Sequence, residues 1–130
     1  MTQYTSEVSA LKTFVANRRN FLLSNSEVAQ VAPVIQSAPY YNSVQVEYQR
    51  PVADETVYVK ATVTATNGIS NINLYDATGI VGNFTATTMF DDGAHEDGLA
   101  DDGVYGAAIP GFAPGTMVRY YIEAIADNAA

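Results

Sequence analysis

The hydrophobic pattern changes period near Pro33, and that change limits the fold more than any other feature of the chain. Beyond it, Val57, Val59, Ala61, Val63 and Ala65 alternate with Thr56, Tyr58, Lys60, Thr62 and Thr64. A period of two over nine residues belongs to a strand with one face in a core and one in water. Val44, Val46 and Tyr48 alternate in the same way, and Ile72 and Leu74 continue the inward set past an Asn67-Gly68 turn. Phe84 to Phe90, Val104 to Ile109 and Thr116 to Ile125 read as further strands. Short strands punctuated by Gly, Pro and Asn, with no helical pattern between them, predict an all-β antiparallel sandwich over residues 33–130.

Before Pro33 the period is helical. Val8, Leu11, Val15 and Leu22 fall on one stripe of a helix over 6–24, with Phe14 and Phe21 flanking it. Glu7 near its start and Arg18–Arg19 in its second half suit the helix dipole. An isolated helix of this length is marginal in water, so its stripe is expected to dock or to self-associate. Residues 25–33 read as a linker, which makes 1–32 an N-terminal helix with its linker.

Cysteine is absent, which removes disulfides and thiolate metal sites together. The net charge of −8 is concentrated in residues 51–130, where eleven acidic side chains face only Lys60 and Arg119. Such a surface repels phosphate, which argues against nucleic acid and anionic membrane as partners. No stretch approaches the roughly 18 apolar residues that insertion into a bilayer needs, and the first residues lack the basic-then-apolar order of a signal peptide.

Six of the fourteen acidic side chains lie between Asp91 and Asp102, with no Lys or Arg among them. Asp-Gly recurs every five residues, at 92–93, 97–98 and 102–103. Each glycine lets the backbone fold back and bring carboxylates together. Crowded oxygen ligands on a turning loop suit Ca²⁺, so Asp92, Asp97 and Asp102, then Asp91 and Asp101, are the predicted ligands. The spacing is not that of an EF-hand. A solvated loop of Asp-Gly turns accounts for the same run. His95 is the one histidine, and without cysteine it does not make a zinc site.

No serine lies in a Gly-x-Ser-x-Gly elbow, no phosphate-cradling glycine loop is present, and the paired carboxylates sit on one loop. The sequence therefore reads as noncatalytic. Tyr40, Tyr41, Tyr48, Tyr58, Tyr75, Tyr120 and Tyr121 offer an alternative role, a carbohydrate- or protein-binding face. The half-exposed faces of strands account for them equally.

Residues 112–124, Phe-Ala-Pro-Gly-Thr-Met-Val-Arg-Tyr-Tyr-Ile-Glu-Ala, resemble strand F of fibronectin type III domains and the loop before it. Phe112, Pro114, Gly115, Thr116, Val118, Tyr120, Ile122 and Ala124 fall on the anchor positions of that pattern. Val118 stands where the family carries its corner tyrosine, so that bond is not expected at this position. The resemblance implies a final strand G beside F. Residues 126–130 have no alternating apolar set to supply it, so the F edge is expected to be covered by the N-terminal segment, by residues 33–41 or by a neighbouring molecule.

The order of motifs over residues 69–124, from the strand around Ile72 through MFDDGAHEDGLADDGVYGAAIPG to PGTMVRYYIEA, is similar to Ig-like modules of large secreted bacterial proteins. Such modules accompany CotH-type (spore-coat-kinase-like) or lamin-tail domains. LKTFVANRRNFLL resembles the helix that closes the CotH-type domain. The resemblances imply an Ig/fibronectin-III-like antiparallel β-sandwich with an N-terminal α-helix. They also imply an accessory spacer or interaction module at the cell surface or outside the cell. Its partners would be other domains of the same polypeptide or cell-surface proteins, with self-association through the helix or the open strand edge. A fragment of a CotH-type protein is the remaining alternative, with none of its catalytic motifs present.

Overall fold

A computed structural model describes residues 2–25 and 30–127. Its elements are α1 (Thr2–Ser24), β1 (Val34–Ser37), β2 (Tyr40–Tyr41), β3 (Val57–Thr64), β4 (Ile69–Thr78), β5 (Thr85–Thr88), β6 (Val104–Ile109) and β7 (Val118–Ala126). Two compact units are present, one containing α1 and running to Val31, the other starting at Ala32.

The second unit is an Ig-like sandwich of two antiparallel sheets. In the first sheet β3 is central. β6 pairs along one edge from Val57↔Ile109 to Thr62↔Val104. β1 and β2 share the other edge, at Val34↔Thr64 and Tyr40↔Val59. Pro39, which has no amide to donate, lies at the break between them. In the second sheet β4 is central, between β5 and β7. Residues 85–90 then cross between sheets. The Met89 amide donates to Ile72 of β4, while Phe90 exchanges both backbone bonds with Gly106 of β6.

The alternation of β3 meets this arrangement directly: Val59, Ala61 and Val63 are buried and their neighbours less so. Ile72 and Leu74 of β4, Ala107 and Ile109 of β6, and Met89 at the crossing complete the core. Tyr120, Val118 and Ile122 of β7 pack against it. The Tyr120 hydroxyl donates to the Ala38 carbonyl at 2.9 Å and ties β7 to the corner between β1 and β2. A tyrosine-to-backbone anchor is thus supplied two residues after Val118, where the resemblance had placed none.

Four expectations need correction. Val44, Val46 and Tyr48 do not form a strand. Asn42, itself buried, accepts from the Val46 amide at 2.7 Å and donates to Gln49 at 3.2 Å. Gln45 and Tyr48 take φ of 61° and 54°, which no strand accommodates. The strand expected over 84–90 shrinks to Thr85–Thr88 because the chain leaves β4 at Met89. Residues 33–41, expected to cover the second edge of β7, pair with β3 instead. Among the described residues β7 pairs with β4 alone.

The fourth correction concerns α1, taken by itself. It starts at Thr2, so Glu7 lies beyond its first turn and Arg18–Arg19 before its last, out of reach of the dipole ends. At 100° per residue, Glu7 and Arg18 project between the Leu11–Leu22 stripe and the Phe14–Phe21 flank. The apolar side chains are therefore divided rather than gathered into one face, and Leu11, Phe14, Val15 and Phe21 are exposed.

Candidate functional site

The acidic segment is a loop of the hairpin that joins Phe90 to β6, and its carboxylates are turned inward onto its own backbone. Asp97, only 3% exposed, is the hub. Its carboxylate accepts the amides of Asp92 at 2.7 Å, Gly93 at 3.0 Å and His95 at 3.1 Å. Asp91 accepts from Asp102 at 3.2 Å and Gly103 at 2.9 Å, which closes the two ends of the loop on each other. Asp102 accepts from Leu99 and Val104, and Asp92 from Ala94. His95 Nδ1 lies 2.8 Å from the Asp92 carboxylate, with its ring stacked on Phe90. Gly93, Gly98 and Gly103 all have positive φ, as the repeated Asp-Gly pairs require.

Each aspartate of the repeat thus answers backbone donors that would otherwise lack partners, the usual behaviour of Asp in tight turns. Among the described residues the Asp101 carboxylate accepts no hydrogen bond. The five predicted ligands share one loop, yet among the described residues no three acidic or histidine side chains converge as a metal-binding set.

Electrostatics agree with the capping. Burial alone raises the Asp97 carboxyl, but the amides of Gly93, Asp97, Asp92 and His95 outweigh it and hold the group below the ordinary range. The His95 ring, then the Ala94 amide, lowers Asp92. Burial and then the charges of Asp91 and Asp101 raise Tyr105 beneath the loop. A carboxyl depressed in the folded state stabilises it above the unfolded value near 4, and that contribution is lost as pH falls through the lower folded value. An Asp97→Asn variant turns donors toward donors and should lose about 1–3 kcal/mol at pH 7. Urea titrations at pH 7 and pH 3 should show the gap between wild type and variant narrowing in acid.

A cavity of about 500 Å³ opens at one end of the sandwich. Tyr40, Val57, Ile109, Phe112, Val118 and Tyr120 form its walls, with Pro51, Pro110 and Pro114 around them. The loops carrying these prolines are locked together: the Asp54 amide donates to the Phe112 carbonyl at 2.9 Å. Gly111 lies so close that a Cβ there would come within 2.2 Å of the Asp54 backbone.

Arg50 and Glu55 are the charged residues that line the cavity among the described residues. The Glu55 carboxylate accepts from the Ser43 hydroxyl, the Val52 amide at 2.7 Å and the Ser43 amide at 3.0 Å. The Ser43 hydroxyl, then the Val52 amide, hold it below the ordinary range. Arg50 has no carboxylate at ion-pair distance among the described residues. An open cavity with mostly apolar walls and an exposed guanidinium among its lining residues suits a ligand with an apolar body and an anionic group. Sequence reasoning missed this site. Its signal was the set of prolines flanking Arg50 and Phe112 in two segments far apart in the chain.

The tyrosines do not make one face. Tyr40 and Tyr48 meet edge to face at 5.3 Å beside the cavity. Tyr41 sits under Lys60, whose Nζ is 4.5 Å from the ring. Tyr75 and Tyr121 stack at 4.7 Å on the outer face of β4 and β7, and Phe84 packs its edge on Tyr121 at 4.9 Å. Tyr75 covers one face of the Tyr121 ring, and Tyr121 is still about half exposed.

Against this geometry, the family described as the conditioned medium factor 2nd Ig-like domain matches residues 9–126. No curated protein and no solved structure matches the chain.

Proposed function

Because the chain belongs to the family of the conditioned medium factor 2nd Ig-like domain, we propose that it is a noncatalytic accessory module of a larger extracellular bacterial protein. Its role is that of spacer and interaction domain. A second Ig-like domain implies a first in the same polypeptide, and the words "conditioned medium" fit a protein released from the cell. The family match begins at residue 9, within α1. That favours reading the helix as part of the module over the alternative in which it closes a CotH-type domain.

The observation that carries the interaction role is the end cavity, lined by an Arg50 that has no carboxylate at ion-pair distance among the described residues. We assign it to a partner segment that presents apolar side chains beside a carboxylate. Calcium belongs to the same proposal in a smaller part, held by carboxylate oxygens of Asp91, Asp92, Asp97, Asp101 and Asp102.

A titration with an anilinonaphthalene sulfonate dye, an apolar anion, tests the cavity. Saturable fluorescence in the wild type, lost in Arg50→Glu at unchanged melting temperature, is expected. Equal binding by both proteins contradicts it. Melting with millimolar calcium and then with chelator, in the same series, tests the metal. A ligand of the native state at a hundredfold excess over its Kd adds about 2.7 kcal/mol, and coincident melts remove calcium from the account.

A further inference from the structure

The second edge of β7 is unpaired among the described residues, and its sequence is complementary to itself. In an antiparallel pair of two β7 strands centred on Tyr121, Arg119 lies opposite Glu123 of the other copy, and Glu123 opposite its Arg119. Tyr121 faces its own counterpart across the axis. Val118 meets Ala124 and Tyr120 meets Ile122 on the core side. No other register puts both charged side chains of this strand opposite their complements.

Burial alternates along β7, with Tyr121, Glu123 and Ile125 exposed. Arg119 lies over the Phe84 ring, its guanidinium carbon 5.0 Å from the centroid, and Nε is buried without a hydrogen-bond partner. Among the described residues it has no carboxylate at ion-pair distance. Glu123 is exposed and accepts one hydrogen bond, from the Tyr75 hydroxyl of β4 at 3.0 Å, which leaves lone pairs for a further donor. An unpaired strand edge is a ready template for another strand, and a two-fold axis turns one Arg–Glu match into two.

We propose that two copies of this chain associate through their β7 strands, joining the β5–β4–β7 sheets into one continuous six-stranded sheet. This goes beyond the accessory role above and does not depend on the cavity. The occupant is a second copy because the charge pattern repeats under a two-fold axis. A cationic strand or an anionic strand from another protein would satisfy only one of the two charged positions.

The test combines light scattering over a concentration series with charge reversal. Wild type should form dimers. Arg119→Glu and Glu123→Arg each place two like-charged pairs across the axis and should weaken association about tenfold or more. The double variant, which restores both pairs in reverse, should recover it. Because the chain has no cysteine, a Tyr121→Cys variant adds a second readout that does not rely on charge. Residues directly opposite on antiparallel strands have Cα atoms about 4.5–5.5 Å apart, within disulfide reach. Mild oxidation should cross-link it far faster than Val44→Cys, an exposed position on the 42–49 loop. A wild-type monomer at every concentration overturns the proposal. So does a dimer unaffected by either reversal, or cross-linking no faster than at Val44.

Discussion

A Val59→Asp variant is expected to be unfolded at room temperature, with random-coil circular dichroism and no cooperative urea transition. Val59 is fully buried, midway along β3, the central strand of its sheet. It pairs with Ala107 on one side and Tyr40 on the other, and it packs against the core from β4 and β6. Among the described residues no cationic side chain is buried in that core to compensate a carboxylate. An unpaired buried charge costs at least several kcal/mol, against a total stability of about 5–15 kcal/mol for a domain. Thr64→Asp, at the exposed end of the same strand, is the control and should melt close to wild type. A folded Val59→Asp protein would mean that the opposite face of β3 lines the core.

Gly106→Ala, a change of one methyl group, should also be strongly destabilising. A Cβ at this position would lie 2.2 Å from the His95 carbonyl oxygen and 3.0 Å from the Asp97 Cβ. The first contact is with backbone, so no rotamer change relieves it, and the loop must lift from β6. Lifting it strains the pairing of Phe90 with Gly106 and the capping by Asp97 together. The expected loss is about 3 kcal/mol or more, with amide shifts at Asp92, Gly93 and His95. Gly115→Ala separates this from a backbone effect. Nothing lies within 4 Å of its Cβ, but its φ of +82° penalises alanine by about 1 kcal/mol. Equal losses at the two sites would show that the acidic loop does not rest on β6.

The parts of the fold that sequence predicted best are those where one physical rule acts alone. β3 has an uninterrupted period of two, and its inward residues are the buried ones. β6 spans the residues expected of it, bounded by Gly103 and Pro110. Where two rules compete, periodicity misleads. Val44, Val46 and Tyr48 alternate, yet a buried Asn42 organises that stretch by side-chain hydrogen bonds that leave no signature in hydrophobicity.

The acidic loop shows the same limit at a candidate site. Its composition showed that carboxylates would be crowded, and the glycines showed where the chain would turn. Whether an aspartate faces a cation or its neighbours' amides depends on local φ and on the close approach at Gly106, neither visible as a pattern. The cavity was hidden for a different reason. Its walls come from residues 40–57 and 109–120, which are brought together only by the pairing of β2 and β6 with β3.

The interaction role can be tested most directly by following the amide resonances of the labelled protein as the sulfonate dye is added. Arg50, Val52, Phe112, Gly115 and Thr116 line the cavity and carry amides that would report an occupant. Saturable shifts confined to these residues and their neighbours, absent in Arg50→Glu, are the predicted result. Shifts confined to Leu11, Phe14, Val15 and Phe21 of α1, with the cavity amides unmoved, would contradict it.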